Sequence, residues 1–167
     1  SGICHIFVDE SADIEMASRV VIDAKTQYPS ACNAVETLLI HKDFPNANDL
    51  LASLQLSEIK IVSNPDDWST EYGDKILSYK FVESVEEAIE HINTYGSGHT
   101  DSIITKNTEN AEKFMNNVDS AGVYMNVSTR FADGFRYGFG AEVGISTNKT
   151  HARGPVGLEG LTIYKYK

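Results

Sequence analysis

The sequence predicts an α/β fold in which helices flank a mostly parallel β-sheet. The first observation is an alternation: from residue 3 to about residue 127, short β-branched and aromatic runs are followed by segments with helical periodicity. The second is the composition, which at 41% hydrophobic and 23% charged residues is that of an ordinary globular protein. A chain of 167 residues is about one domain and is long enough to bury a substantial core.

Each predicted element rests on a local pattern. Apolar runs with strand character predict strands at 3–8, 35–41, 59–63, 76–82, 102–105 and 122–127. Helical periodicity predicts helices at 12–27, 48–54, 84–95 and 109–118. Ser11 is the candidate N-cap of the first helix, which ends before Pro29. Ser84 and Glu87 form a capping box at the start of the third helix.

From residue 128 to residue 160 the periodicity is lost and glycine recurs, which predicts a long functional loop. Three of the four arginines, Arg130, Arg136 and Arg153, fall between residues 130 and 153. That window carries a net charge of +2, whereas the rest of the chain carries −12. Guanidinium groups in a glycine-rich loop suit recognition of a carboxylate or a phosphate, although arginines on a solvated loop remain the alternative.

Charge and cysteine content exclude several classes of function. A net charge of −10 argues against nucleic acid or an anionic membrane as the main partner, and no apolar run is long enough to span a membrane. Cys4 and Cys32 are 28 positions apart without clustered histidines, so no metal site is predicted. We expect reduced thiols in a cytoplasmic protein, while a Cys4–Cys32 disulfide stays open.

Cys32 is the most informative residue. It lies in Tyr28-Pro-Ser-Ala-Cys-Asn-Ala34, a short polar connection between a predicted helix and a predicted strand. Asn33 and nearby backbone N–H groups can surround the sulfur, and a partly exposed thiol near such donors has a lowered pKa and becomes a nucleophile. The alternative is a small buried hydrophobic residue.

Three histidines, His41, His91 and His99, are candidate bases for Cys32. His91 lies inside a predicted helix and is interpreted as structural, and His41 ends a strand in a polar setting that predicts exposure. His99 lies in a loop that leads into a strand and is interpreted as part of a turn. A Cys–His hydrolase therefore stays open. Glu71 is either a surface carboxylate or a hydrogen-bond partner of a ribose.

Five segments together resemble γ-glutamyl phosphate reductase, a family of the aldehyde dehydrogenase superfamily. The first is the cysteine segment, 28–39, and the second runs from 82 to 103. The others are Asn126-Val-Ser-Thr-Arg-Phe-Ala-Asp-Gly134, Gly138-Phe-Gly-Ala-Glu-Val-Gly-Ile-Ser-Thr147 and His151-Ala-Arg-Gly-Pro-Val-Gly-Leu-Glu-Gly-Leu161. The match covers nearly the whole chain in order. One departure is that the stretch between Ile61 and Glu71 is shorter than in some relatives.

The resemblance implies an aldehyde dehydrogenase-like architecture. Residues 1–160 would be the catalytic domain and residues 161–167 a C-terminal strand through which the protein forms a homo-oligomer. The N-terminal NADP-binding domain of the family is absent from the chain, so we expect the isolated chain to fold but to lack reductase turnover. A protein of this family can also be fused to a kinase, in which case a mitochondrial location is open.

The resemblance also implies a reaction, the NADPH-dependent reduction of L-glutamyl 5-phosphate to glutamate 5-semialdehyde and phosphate in proline biosynthesis. Cys32 would form a thioester, with Asn33 near the oxyanion. Arg130 and Arg153, and with less support Arg136, would contact the anionic groups of the substrate. Glu71 with Tyr72 loosely resembles the superfamily's contact to the nicotinamide ribose. A non-catalytic assembly domain and a cysteine hydrolase are the alternatives.

Overall fold

A computed structural model describes residues 2–145, 153–162 and 165. Its centre is a six-stranded sheet in which every pairing is parallel. The strands are β1 (Cys4–Val8), β2 (Val35–His41), β3 (Lys60–Ser63), β4 (Ile76–Val82), β5 (Thr100–Ile104) and β6 (Gly122–Met125). Their spatial order is β3-β4-β2-β1-β5-β6, which confirms the predicted α/β fold and its parallel sheet.

Two pairs of helices cover the two faces of the sheet. The helices are α1 (Ile14–Thr26), α2 (Ala47–Leu56), α3 (Val85–Tyr95) and α4 (Thr108–Asn117). On one face, α1 and α2 pack on β1 and β2 through a core that includes Ile6, Leu38 and Leu54. On the other face, α3 and α4 pack through Phe7 and Phe114. Strands buried on both faces explain the nearly continuous apolar runs of β1 and β2.

The helix starts differ in detail from the sequence prediction. Asp13, not Ser11, is the N-cap of α1, because its carboxylate accepts the backbone N–H of Met16. The Ser11 hydroxyl instead lies in a hydrogen-bond network with Asp9 and Thr105 after β1 and β5. Ser84 caps α3 as predicted.

The segment predicted as an irregular loop contains regular structure. A 3₁₀ turn spans Thr129–Phe131, and two short antiparallel strands, β7 (Val143–Ile145) and β8 (Gly154–Val156), pair with each other. We call these two strands the hairpin. Three-residue strands with two glycines leave too little periodicity to be recognised in the sequence. The predicted C-terminal strand falls largely outside the described residues, and Leu161 ends a second 3₁₀ turn.

A buried ion pair joins the end of α1 to the start of β2. The Lys25 ammonium lies 2.9 Å from a carboxylate oxygen of Glu36, and both side chains are at most 1% exposed. The same carboxylate accepts backbone N–H groups of Tyr72 and Gly73. Burial lowers the pKa of Lys25 and raises that of Glu36, because desolvation disfavours both charged forms. The pair therefore holds together the two ends of the connection between α1 and β2, which carries Cys32.

Replacing Lys25 tests this ion pair. We expect Lys25→Met to lower the free energy of unfolding by roughly 3–5 kcal/mol, because it leaves the Glu36 carboxylate buried without a counter-ion. Urea denaturation followed by circular dichroism measures the change. Lys75→Met is the matched control: it removes an exposed pair with Glu58 and should cost less than about 1 kcal/mol. Equal losses in the two variants would contradict a special role for Lys25.

Candidate active site

The candidate site lies at the amino edge of the parallel sheet. Cys32 precedes β2 and His99 precedes β5, and both strands flank β1. The turn that carries Cys32 passes directly over Gly2, before β1. A β-carbon built on Gly2 would lie 1.9 Å from the Cys32 carbonyl oxygen, so only glycine permits this approach.

The thiol of Cys32 and the imidazole of His99 are in contact. Sγ lies 3.3 Å from Nε2, within hydrogen-bond distance for sulfur. The other ring nitrogen of His99, Nδ1, lies 2.9 Å from the hydroxyl of Thr100, which is fully buried. When Nδ1 donates to that hydroxyl, Nε2 is left as an acceptor for the thiol proton. The arrangement is that of a nucleophile beside a base.

Both members of this pair favour their neutral forms. Burial raises the pKa of the Cys32 thiol, and the Glu142 carboxylate raises it further, while Arg130 acts in the opposite direction. Burial also lowers the pKa of His99. The prediction of a lowered pKa for Cys32 is therefore wrong, because desolvation outweighs the nearby donors and the arginine. If the thiol acts as a nucleophile, it must give up its proton, and Nε2 of His99 lies at hydrogen-bond distance to accept it.

Asn33 and Arg130 lie together beside the thiol. The Asn33 side chain is buried, donates a 2.7 Å hydrogen bond to the Ala132 carbonyl and accepts one from the Arg130 guanidinium. Arg130 also donates to Gln27 and lies over the ring of Tyr28. These contacts fix the guanidinium next to the cysteine turn, where the sequence predicted an anion contact.

The other two predicted arginines lie in different settings. Arg136 donates to the backbone carbonyl of Arg130 and lies over the ring of Phe131, at the exposed side of the same segment. Arg153 forms an ion pair with Asp119, and its side chain is only 15% exposed. The structure therefore places Arg136 near Arg130, whereas the guanidinium of Arg153 is already occupied by the carboxylate of Asp119.

Glu71 lies at the same edge of the sheet. One of its oxygens accepts the backbone N–H of Gly2 at 2.7 Å, and its charge raises the pKa of Cys32. The neighbouring Tyr72 and Gly73 are fixed by Glu36, so the ion pair inside the fold also positions this loop. Glu71 itself is exposed and has a second carboxylate oxygen that can accept a hydroxyl.

His41 and His91 make packing and turn contacts, whereas Cys4 lies beside the site, because its thiol donates to the Cys32 carbonyl at 3.4 Å. His41 was predicted to be exposed, but it is 8% exposed and its Nδ1 accepts the backbone N–H of Asp43. His91 is structural as predicted: it is buried in α3, packs against Trp68 and Tyr95, and burial lowers its pKa to about 3. Cys4 and Cys32 are both free thiols.

Glu10, His41 and Asp43 hold potential metal-ligand atoms within 4.8 Å of one another. The two carboxylates are exposed, and Nδ1 of His41 is occupied by the backbone of Asp43. We therefore assign no metal to this group of side chains.

Sequence reasoning considered His99 as a partner of Cys32 but interpreted it as part of a turn, and it missed Glu142 and Gly144 as parts of the site. Glu142 raises the pKa of Cys32, and Gly144 of the hairpin lies against the sulfur. The signal that was available for His99 was its position directly before a strand, as Cys32 precedes β2. In a parallel sheet such residues share one edge.

Removing the charge of Glu142 tests the electrostatics of the site. We expect Glu142→Gln to lower the pKa of Cys32, because the carboxylate disfavours the thiolate. Iodoacetamide should then alkylate Cys32 about two- to tenfold faster at pH 7.5. Rates across pH 6.5–10, followed by mass spectrometry, give the pKa directly. Glu112→Gln, which removes the same charge from an exposed position on α4, should leave the pH profile unchanged. A Glu142→Gln profile displaced to higher pH would refute this account.

Comparisons with known proteins identify the family of the chain. A family model described as "Aldehyde dehydrogenase family" matches residues 75–151. γ-Glutamyl phosphate reductases from Brachyspira hyodysenteriae and Acetivibrio thermocellus are each 58% identical to the chain over 99% of its length. The crystal structure of γ-glutamyl phosphate reductase from Thermotoga maritima covers 98% of the chain with a TM-score of 0.90 and 48% identity. The chain belongs to the γ-glutamyl phosphate reductase family.

The family is thereby confirmed, and the chain spans less than half the length of the relatives it matches. The chain spans 42% of the length of the first two relatives and 44% of the Thermotoga maritima chain. The alignment with the Brachyspira relative extends over 182 positions, more than the 167 residues of the chain, so that relative has insertions within the aligned region. A more distant structure, an acetylating aldehyde dehydrogenase from Geobacillus thermoglucosidasius, is 18% identical with a TM-score of 0.68 and supports the fold alone.

No helix in the described part of the chain is both long enough and apolar enough to cross a membrane.

Proposed function

We propose that the chain is the catalytic portion of an NADPH-dependent reductase that converts L-glutamyl 5-phosphate to L-glutamate 5-semialdehyde and phosphate in proline biosynthesis. The observation that carries this proposal is the contact between Cys32 Sγ and His99 Nε2 beside the fixed guanidinium of Arg130. A nucleophile, a base and an anion-binding group are what attack on an acyl phosphate requires. The relatives named γ-glutamyl phosphate reductase support the choice of substrate.

In the proposed mechanism, the Cys32 sulfur attacks the carbonyl carbon of the acyl phosphate while His99 takes the thiol proton at Nε2. Phosphate then leaves with the electron pair of the broken C–O bond, and a thioester to Cys32 remains. When the sulfur is later released as a thiolate, His99 can return the proton to it. Cysteine suits this sequence because its thiolate is both a strong nucleophile and a good leaving group.

Charge development on the carbonyl oxygen needs hydrogen-bond donors. The Asn33 side chain donates one N–H to Ala132 and holds a second amide hydrogen, which we propose stabilises the oxyanion together with backbone N–H groups of the cysteine turn. Such a donor contributes about 3–4 kcal/mol to transition-state stabilisation. We propose Arg130 as the main contact for an anionic substrate group, with Arg136 next to it. Because Arg153 is already paired with Asp119, its effect on the substrate would be indirect.

The described residues fit one end of a nicotinamide cofactor. Glu71 is exposed, lies close enough to raise the pKa of Cys32, and retains a carboxylate oxygen that can accept a ribose hydroxyl. When bound, the cofactor would supply the hydride that reduces the thioester. We propose that NADPH is held mainly by parts of the protein outside this chain. We further propose a cytoplasmic homo-oligomer formed through residues 161–167.

The first test is phosphate-dependent reduction of NADP⁺ by glutamate semialdehyde, measured with the full-length protein that contains this chain. Activity should require phosphate and should vanish in Cys32→Ser, because a hydroxyl cannot replace the thiolate. His99→Gln should lower kcat by about 10²–10⁴, the contribution of a positioned general base. His91→Gln is the matched control, since His91 is a packing residue of α3.

A folded full-length protein that binds NADP⁺ but shows no phosphate-dependent activity would refute the reductase. The Cys32–His99 contact also favours a second candidate, a cysteine acyl hydrolase. Hydrolysis of acyl esters at many turnovers without a nicotinamide would support that candidate instead.

The role of Arg130 is tested separately. We expect Arg130→Gln to raise KM for the anionic substrate by about 10- to 100-fold, because a desolvated guanidinium contact of roughly 1.5–3 kcal/mol is lost. The loss of the bond to Asn33 should also lower kcat. Arg19→Gln removes the same charge from an exposed position on α1 and should leave both constants unchanged. An unchanged KM in Arg130→Gln would place the anion contact elsewhere.

A further inference from the structure

Strand β7 touches the sulfur of Cys32 through a glycine. A β-carbon built on Gly144 would lie 2.4 Å from Sγ and 3.3 Å from Nε2 of His99. Because a carbon–carbon bond is about 1.5 Å long, the α-carbon itself lies within about 4 Å of the sulfur, in van der Waals contact. The backbone of β7 is thus a wall against the thiol–imidazole pair, and this wall has no room for any side chain at position 144.

The hairpin is fastened to the segment that carries His99. Arg153, just before β8, donates to both the carbonyl and the carboxylate of Asp119 at 3.2–3.3 Å. A β-carbon built on Gly98 would lie 2.6 Å from an Arg153 guanidinium nitrogen, so the absence of a side chain at Gly98 leaves room for the guanidinium. Gly154, with φ of +74°, packs against the neighbouring Ala121: a β-carbon built on it would lie 3.0 Å from the Ala121 β-carbon.

We propose that the hairpin is a cover that lies against the Cys32 sulfur beside His99 and excludes water from one side of the acyl-enzyme. Gly144 is the position where the cover meets the sulfur, and Arg153 is a positioning residue that fastens it. The inference deepens the proposed function, because it uses only the acylation of Cys32 that the reductase mechanism requires. It gives Arg153 a role other than direct contact with the substrate.

The physical reason for such a cover is the fate of the thioester. A thioester that must wait for hydride is lost whenever water reaches its carbonyl carbon first. Water exclusion by a backbone wall slows that side reaction without placing a reactive side chain near the carbon. A cover made of peptide backbone also leaves the opposite side of the sulfur open for the acyl group.

Hydrolysis of p-nitrophenyl acetate measures the acylation and the deacylation of Cys32 without any cofactor. The Cys32 thiol attacks the acetyl carbon while His99 takes its proton, the C–O bond breaks, and p-nitrophenolate leaves with the electron pair. Water then adds to the acetyl carbon, the C–S bond breaks, and acetate leaves as the thiol is regenerated. Nitrophenolate absorbance gives the acylation burst and the slower turnover, and mass spectrometry confirms the acetyl group on Cys32.

For Gly144→Ala we expect acylation to slow by about tenfold or more, since the added methyl displaces the sulfur from its contact with His99. Gly140→Ala is the control: it adds the same methyl group to the segment leading into β7, where nothing lies within 4 Å of it. Because Gly140 has a φ of +74°, alanine there strains the backbone. Both variants are therefore compared at equal folded fraction. Unchanged acylation in Gly144→Ala would overturn the contact.

For Arg153→Gln we expect the opposite pattern. Acylation should persist while deacylation accelerates by about threefold or more, because a released cover admits water to the thioester. Arg153→Lys, which keeps a charge that can reach Asp119, should restore part of the slow deacylation. The acetyl group carries no charge, so an effect on its hydrolysis cannot arise from lost substrate anion binding. Unchanged deacylation in Arg153→Gln would overturn the cover.

These outcomes are independent of the reductase assay. A protein that fails to reduce the acyl phosphate but shows both effects would retain the cover and lose the proposed function. A protein that reduces the acyl phosphate yet shows neither effect would retain the function and lose the cover.

Discussion

The ion pair between Lys25 and Glu36 is the constraint on which the site depends. It joins the last turn of α1 to the second residue of β2, so the connection between them is held at both ends by one buried contact. The carboxylate also accepts the N–H groups of Tyr72 and Gly73, which brings the loop with Glu71 to the same edge. A buried pair is seldom a large net gain in stability. Its value here is that it fixes where two loops meet.

Close backbone approach then assembles the rest of the site. Gly2 lets the cysteine turn lie on the start of β1, and Gly144 lets β7 lie on the sulfur. Neither glycine needs an unusual backbone angle, so their role is space and not conformational freedom. Peptide groups from two other parts of the chain therefore lie against Cys32, Gly2 against its backbone and Gly144 against its sulfur. Such enclosure explains why desolvation, and not the nearby donors, governs the pKa of Cys32.

The sequence predicted what depends on local patterns. The strands β2 and β4 have the bounds expected from their apolar runs, and Ser84 caps α3 because a capping box is a local arrangement. Cys32 could be singled out because its turn is local as well. Ser11 failed as an N-cap since its hydroxyl instead bonds to Asp9 and Thr105, which directly follow two neighbouring strands, β1 and β5.

What the sequence could not predict depends on the order of strands in the sheet. His99 follows a glycine-rich turn and has no periodicity that relates it to Cys32, from which it is 67 residues distant. Only the order β2-β1-β5 brings the two together. The burial of His41 was not predicted either, although the backbone N–H of Asp43, in the turn directly after β2, donates to its Nδ1. The hairpin pairs residues 143–145 with residues 154–156, and strands of three residues are too short to give a local sequence pattern.

The neutral resting state of the Cys32–His99 pair is consistent with a substrate that is already activated. An acyl phosphate has a good leaving group, so attack does not depend on a permanently ionised thiolate; it requires only that a base accept the proton as carbon–sulfur bonding begins. A half-buried, neutral thiol reacts slowly with oxidants and adventitious electrophiles, because the thiolate is the reactive form. The carboxylates of Glu71 and Glu142 reinforce this state in the free protein. Binding of a group that offsets those charges would lower the pKa of Cys32 and activate the thiol only when the site is filled.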